Sequence, residues 1–278
     1  MHTKLDSLFQ LDGKIIVVTG AAGLLGQHHA EAIAAYGGTP VLLDLSGEAV
    51  ESLADKLNSK YSVSAIGYAV DITDELQIKN NCEVIKGKFS KIDGLVNNAA
   101  NNPKVENQSN KNFSRLENFP IEVWNQDVAV GLTGAYLCAK HYGTEISKNI
   151  DGGVIVNISS DLGLMAPDQR LYKKEGLPSH LQPVKPITYS VVKTGLIGLT
   201  RYLATYWADI NVRCNAICPG GVENGQPEEF IRDVTSRIPM NRLAEADEYQ
   251  GTLVWMLSDA SSYLNGAIVP VEGGRTAW

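Results

Sequence analysis

The sequence predicts an α/β fold: a doubly wound parallel sheet of about seven strands with helices on both faces. Three observations carry this. Short β-branched runs alternate with helix-length segments along the chain, the pattern of βαβ units. The strand-like runs are apolar at successive positions, as strands buried on both faces must be. No repeat, low-complexity tract or linker divides the 278 residues, so a single domain over 1–278 is expected.

The elements follow in order. KIIVVT (14–19) reads as a buried strand that runs into GAAGLLG (20–26) and an Ala-rich helix stopping at Gly37-Gly38. TPVLLDL (39–45) is the second strand and 47–60 the second helix. Residues 63–70 form the third strand, closed by Asp71, and 74–89 the third helix, opened by a polar cap at Thr73-Asp74. GLVN (94–97), VIVNI (154–158), NVRCNAI (211–217) and AIVPV (267–271) complete the strands. Before the sixth strand, Val192, Leu196, Leu199 and Leu203 recur at helical spacing and place a buried helix from about Tyr189.

Two segments break the alternation. Residues 100–118 are Asn-rich without apolar period, and 164–188 carry four prolines and, from Asp168 to Lys185, four basic residues against two acidic. Both follow strands and so project from the carboxyl edge of the sheet, where open α/β folds bind ligands. A net charge of -7 and the lack of basic–aromatic interleaving argue against a nucleic-acid surface. No apolar run reaches the roughly eighteen residues that cross a bilayer, and the N-terminus lacks a signal-peptide core. Cys82, Cys138, Cys214 and Cys218 are scattered among apolar segments, as reduced core thiols are, and lack the spacing of a metal site. A cytoplasmic protein with no metal, membrane or nucleic-acid partner is expected.

Several stretches carry chemistry. Glycines between a strand and a helix permit a tight turn and close backbone approach, and the helix N-terminus offers N–H groups to a pyrophosphate. Asp44, eighteen residues after Gly26, ends the second strand, where a carboxylate accepts both hydroxyls of an adenosine ribose and repels a 2′-phosphate. With no Arg or Lys at Leu45 or Ser46, this favours NAD, although Asp44 also suits a cap for the following helix. Asp71 is placed either to meet an adenine or to cap the turn at Thr73. Asn97 and Asn98 end the fourth strand, and Ser159-Ser160 the fifth. Tyr189 and Lys193 stand one helical turn apart, about 6 Å. Holding a phenolate near neutral pH takes roughly three pKa units, or about 4 kcal/mol. One ammonium in a dry cleft supplies part, and a second positive group the rest. The alternative is a Tyr and a Lys snorkelling from an amphipathic helix.

Taken together, T-G-A-A-G-L-L-G (19–26), Asp44, Asp71, N-N-A-A (97–100), V-N-I-S-S (156–160), Y-S-V-V-K (189–193), C-P-G-G (218–221), Arg242 and the terminal V-E-G-G-R-T-A-W resemble a short-chain dehydrogenase/reductase of the single-domain, Rossmann-fold kind. The resemblance covers almost the whole chain. It implies that Tyr189 is the general acid/base, that Lys193 lowers its pKa and binds the nicotinamide ribose, and that Ser160 orients the substrate oxygen. It also implies NAD contacts from Gly20, Gly23, Leu25, Gly26, Asp44, Asp71, Ile72, Asn97, Ala99, Tyr189, Lys193, Pro219, Gly220 and Val222.

Four places depart from that pattern. Gly23 stands one position before the family's usual second glycine, which here is Leu24; this spacing is similar to that of extended members such as sugar-nucleotide epimerases and dehydratases. Ser160 and Tyr189 are 29 apart, about twice the usual separation. Gly131 stands where an Asn holds a water leading from the lysine, and Asn224 where a Thr meets the carboxamide. Gly131 is explained either by a kink that frees its carbonyl for a water or by close packing of another side chain.

The basic insertion points to the substrate. Arg170, Lys173, Lys174 and Lys185 are placed to hold an anionic small molecule such as a phosphorylated or nucleotide-linked sugar, a solvated loop or a subunit contact being the other reading. His180 reads as a surface residue. The leading function is an NAD-dependent oxidoreductase moving a hydride between the nicotinamide and a secondary alcohol or ketone of a carbohydrate derivative. An NAD-retaining epimerase or dehydratase is the alternative, and a catalytically silent NAD-binding sensor a third class. A homodimer or homotetramer is expected, with Gly195, Gly198, Gly134, Ala135 and Cys138 permitting helix packing between subunits.

Overall fold

The computed structural model describes residues 7–101 and 114–278, so most of the 100–118 segment lies outside the described residues. Strands β1 (Ile15–Thr19), β2 (Thr39–Asp44), β3 (Ile66–Ala69), β4 (Gly94–Asn97), β5 (Gly153–Ile158), β6 (Val212–Pro219) and β7 (Ile268–Val271) form one sheet in the order β3-β2-β1-β4-β5-β6-β7. Every neighbouring pair is parallel. The helices are α1 (Leu24–Ala35), α2 (Gly47–Tyr61), α3 (Glu75–Phe89), α5 (Ile187–Tyr206), α6 (Glu228–Thr235) and α7 (Gln250–Leu257). Helix α4 (121–146) is one rod interrupted by π turns at Ala129–Thr133 and Ala139–Gly143.

Alternate residues of each strand face opposite layers. Ile15 and Val17 of β1 join Ile78 and Ile85 of α3, Cys138 and Tyr142 of α4 and Leu203 of α5. Ile16 and Val18 join Ile33 of α1, Val50 and Leu57 of α2 and Leu253 and Met256 of α7. Three helices therefore cover each face, which is why the strands read as unbroken apolar runs.

Two boundaries moved for local reasons. The third strand starts at Ile66 rather than 63 because Ser62 ends α2 in the left-handed region at φ 55°. The Asn58 side chain then holds Ala65 through both its N–H and its carbonyl, at 2.6 and 2.9 Å. The sixth strand runs on to Pro219 because Cys218 and Pro219 pair with Pro270 and Val271 of β7.

The 164–188 insertion is packed at some points and exposed at others. Single 3-10 turns at Gln169–Tyr172 and Ser179–Leu181 shape it, and Leu171 is buried with Val234, Ile238 and Leu243. Tyr172 packs against Phe230 of α6, ring centroids 6.2 Å apart. Asp168 receives both Arg170 at 2.8 Å and Arg237 at 2.7 Å, tying the insertion to the segment after α6. The glycines expected to serve subunit packing mostly serve this chain. A Cβ on Gly195 would lie 2.9 Å from Leu132, one on Gly134 would lie 2.7 Å from Ile72, and Cys138 is fully buried.

Candidate active site

The strand order reverses between β1 and β4, and their carboxyl ends are knitted together. Gly20 has φ +63°, and a Cβ there would lie 2.7 Å from Ala99 Cα. The Thr19 hydroxyl accepts the N–H groups of Asn98 and Ala99, each at 3.1 Å, and the Asn98 amide donates to the carbonyls of Thr19 and Gly20. A Cβ on Gly26 would meet Gly20 O at 2.2 Å, so this turn cannot close around a larger residue. Gly23 begins α1 with no side-chain cap and no acidic residue in the first turn. The positive helix end and its N–H groups face the cradle, the arrangement a pyrophosphate fits.

Asp44 lies beside this cradle and accepts the Ala22 N–H at 3.0 Å. It does not cap α2, since Ser46 does so by accepting Ala49 N–H at 3.3 Å. Asp71 takes its turn-capping role, holding the N–H and hydroxyl of Thr73 at 2.8 and 2.7 Å through one oxygen. Asn97 is turned inward: its amide donates to Asn157 at 2.8 Å and to Ala135 O, and its own side-chain oxygen is buried without a partner. Ile72 is buried against Gly134. Leu25 stands in the first turn of α1, Ala99 abuts Gly20, Gly220 donates to Val271 O at 2.9 Å, and Pro219 and Val222 flank it.

Ser160, Tyr189 and Lys193 converge at the same edge. The Lys193 side chain is buried at 5% exposure, its ammonium donates to Ile158 O at 2.8 Å, and it lies 5.9 Å from the Tyr189 ring centre. Burial lowers its pKa to about 8, with Cys218 opposing and Lys185 adding to the fall. The Ser159 hydroxyl donates to Lys193 O at 2.7 Å, and Gly163 lies against both, clamping the end of β5 to α5.

The Tyr189 phenol differs from expectation: burial raises its pKa above the ordinary value and the charge of Asp161 adds to this, while the neighbouring Ser160 hydroxyl pulls the other way. Desolvation of the phenolate is the largest of these effects.

Asp161, which the sequence did not single out, organises the serine. It accepts the Ser160 hydroxyl at 2.8 Å and is paired with Arg275 at 2.7 Å, the two side chains being 4% and 8% exposed. Its neighbour in V-N-I-S-S was legible, but nothing in the spacing joins it to an arginine 114 residues on. Asp127 was likewise missed. It is buried, accepts the Thr188 hydroxyl at 2.5 Å, and lines a small cavity with Gly131, Tyr189, Val192 and Lys193. Close packing accounts for Gly131: it lies in a π turn of α4, and a Cβ there would lie 2.5 Å from Val192 Cγ1.

Of the four basic residues of the insertion, the structure brings one to the triad. The Lys185 ammonium lies 3.9 Å from the Tyr189 ring centre. Arg170 is engaged by Asp168 with its side chain 74% exposed, and Lys173 and Lys174 are exposed on the insertion. Asn224 and His180 are exposed. The four cysteines are buried and unbonded, and among the described residues no His, Cys, Asp or Glu cluster suits a metal and no helix is long and apolar enough to cross a membrane.

Residues 14–172 match the family model described as short chain dehydrogenase, and 179–276 match the one described as Enoyl-(Acyl carrier protein) reductase. An uncharacterized oxidoreductase of Thermotoga maritima is 31% identical, with 95% of this chain and 98% of that one aligned. An NADP-dependent mannitol dehydrogenase of Alternaria alternata is 28% identical over 98% of this chain and 96% of its own. The crystal structure of an NAD+-bound xylitol dehydrogenase superposes with a TM-score of 0.82 at 25% identity, covering 95% of this chain and 99% of that one. The fold, the glycine cradle and the two family models agree: this chain is an oxidoreductase that takes a nicotinamide cofactor and belongs to the short-chain dehydrogenase/reductase family.

Proposed function

We propose that this protein is an NAD-dependent dehydrogenase/reductase acting on a secondary alcohol or ketone of a carbohydrate derivative. The observation that carries the reading is the meeting of Ser160, Tyr189 and Lys193 beside the Gly20–Gly26 cradle. The relatives named for mannitol and xylitol support a polyhydroxylated substrate. The net-basic insertion favours an anionic form, a sugar phosphate or a nucleotide sugar, with Arg170, Lys173, Lys174 and Lys185 as the residues that would attract it. NAD is favoured over NADP by Asp44, whose carboxylate beside the cradle would accept the ribose hydroxyls and repel a 2′-phosphate. The family models, named for a dehydrogenase and a reductase, lend no support to an epimerase.

When bound, the nicotinamide supplies the hydride acceptor or donor. The chain's residues do the rest. Gly20, Gly23, Gly26 and the N–H groups of α1 would hold the pyrophosphate, and Leu25, Asp71, Ile72, Asn97, Ala99, Pro219, Gly220 and Val222 would line the path of the dinucleotide. Tyr189 exchanges a proton with the substrate oxygen, and Ser160 turns its hydroxyl from Asp161 to that oxygen. Lys193 keeps positive charge near the developing phenolate. We further propose a cytoplasmic homodimer or homotetramer, supported by the free buried thiols and by exposed Tyr136, Val191, Tyr202 and Tyr206 on α4 and α5.

The test is a panel of polyols, sugars, sugar phosphates and nucleotide sugars assayed for NADH and NADPH formation. Wild type is expected to turn over one class with NAD, and Tyr189→Phe to lose at least about a hundredfold in kcat while binding NAD as wild type does. Turnover retained in Tyr189→Phe would remove the proposal.

A further inference from the structure

The insertion delivers a second cation to the tyrosine. Lys185 lies outside α5, just before Pro186, which keeps its backbone extended, and its N–H donates to Gln169 Oε1 at 2.8 Å. These two constraints aim the side chain back over the helix, where the ammonium covers the Tyr189 ring at 3.9 Å, closer than the 5.9 Å of Lys193. We propose that Lys185 is a positioning residue for the acid/base: its ammonium, seated on the ring face, favours the Tyr189 phenolate from outside the Tyr–Lys helix. This rests on the reading of Tyr189 as the proton-exchanging group.

Among the described residues few charged and titratable groups surround the ring; Asp127 of α4, which accepts the Thr188 hydroxyl at 2.5 Å, lines the cavity beside it. Lys193 of α5 stands 5.9 Å from the ring centre, and Asp161 opposes phenolate formation from the turn after β5, itself paired with Arg275. Tyr172 from the insertion, Tyr249 before α7 and Cys218 of β6 have their pKa values raised by burial and stay neutral near pH 7. Burial lowers the Lys185 pKa to about 8, with Asp161 opposing, so this side chain is charged at neutral pH and sheds its charge in mild alkali. A phenolate formed at pH 7 meets two ammonium groups, and one formed at pH 9 meets neither at full charge.

The test uses that loss. Lys185→Arg carries a permanent charge and Lys185→Met none. In the cofactor-free full-length protein, Tyr189 ionisation is read as tyrosinate absorbance, each variant minus the same variant carrying Tyr189→Phe. The midpoint is expected about one to three units lower in Lys185→Arg than in Lys185→Met, with Lys185→Gln as a second neutral variant and circular dichroism checking the fold. Equal midpoints in the Arg and neutral variants would overturn the proposal whatever the substrate proves to be. In turnover, the wild-type advantage over Lys185→Met is expected in kcat, about ten- to a hundredfold at pH 7 and shrinking above pH 8, while Lys185→Arg keeps its advantage. An advantage that is flat in pH, or confined to KM, would also overturn it. Activity retained by Tyr189→Phe instead sinks the dehydrogenase reading and leaves the titration standing.

Discussion

Asp161 and Arg275 form a nearly dry ion pair next to the serine, and such pairs are far more costly to break than to omit. Arg275→Met strands the carboxylate and is expected to remove about 3–5 kcal/mol of stability, read by urea unfolding, with Asp161→Asn in the same chain recovering most of it. A loss below about 1 kcal/mol would mean that water reaches the pair. Asp44→Ala is expected to weaken NAD binding about tenfold or more and to narrow its margin over NADP, measured by cofactor titration. At this scale the sequence pointed to Ser160, Tyr189, Lys193 and Asp44 because each sits in a short motif, and the structure brings the first three to one edge of the sheet. Asp161, Arg275 and Asp127 were not legible, because their partners stand 114 and 61 residues away and a sequence shows no pairing across such gaps.

Helix α4 passes behind the tyrosine helix at Gly131, where α4 and α5 come close enough that a methyl group would strike Val192. Gly131→Ala is expected to cost about 1–3 kcal/mol through overpacking despite alanine's better helix propensity. Val192→Ala should relieve it, so thermal unfolding of the double variant will show less than the summed loss. Strict additivity would show that the glycine is not there for packing. The π turns in α4 had no local signature to read. The insertion stood out by its prolines and charge, but its packing depends on Phe230, Val234 and Ile238, some sixty residues downstream. Helices α6 and α7 had no expectation attached to them.

The sheet as a whole was the most legible part, because a strand buried on both faces must be apolar throughout and a βαβ chain leaves few ways to order its strands. A whole-molecule property that the sequence did not reveal is set by His29 of α1. It is fully buried, both ring nitrogens lack a partner, and burial with the repulsion of His28 lowers its pKa to about 4, Asn98 opposing. The unfolded chain binds a proton near pH 6.5, so stability is full above that pH and is lost as pH falls towards 4, by about 3 kcal/mol in all. Unfolding by urea at several pH values should show His29→Leu with a shallower acid dependence than wild type, and parallel curves would count against this source.

The Asp161–Arg275 pair also sets an order of events during synthesis. Asp161 leaves the ribosome more than a hundred residues before Arg275, and the two cannot meet until β7 has docked on β6. Until then the Asp161 carboxylate lacks its arginine, so the serine turn is expected to settle late. A chain halted before β7 should bury most of its sheet and still lack a settled active site, which makes the final strand a checkpoint on activity as much as an edge of the fold.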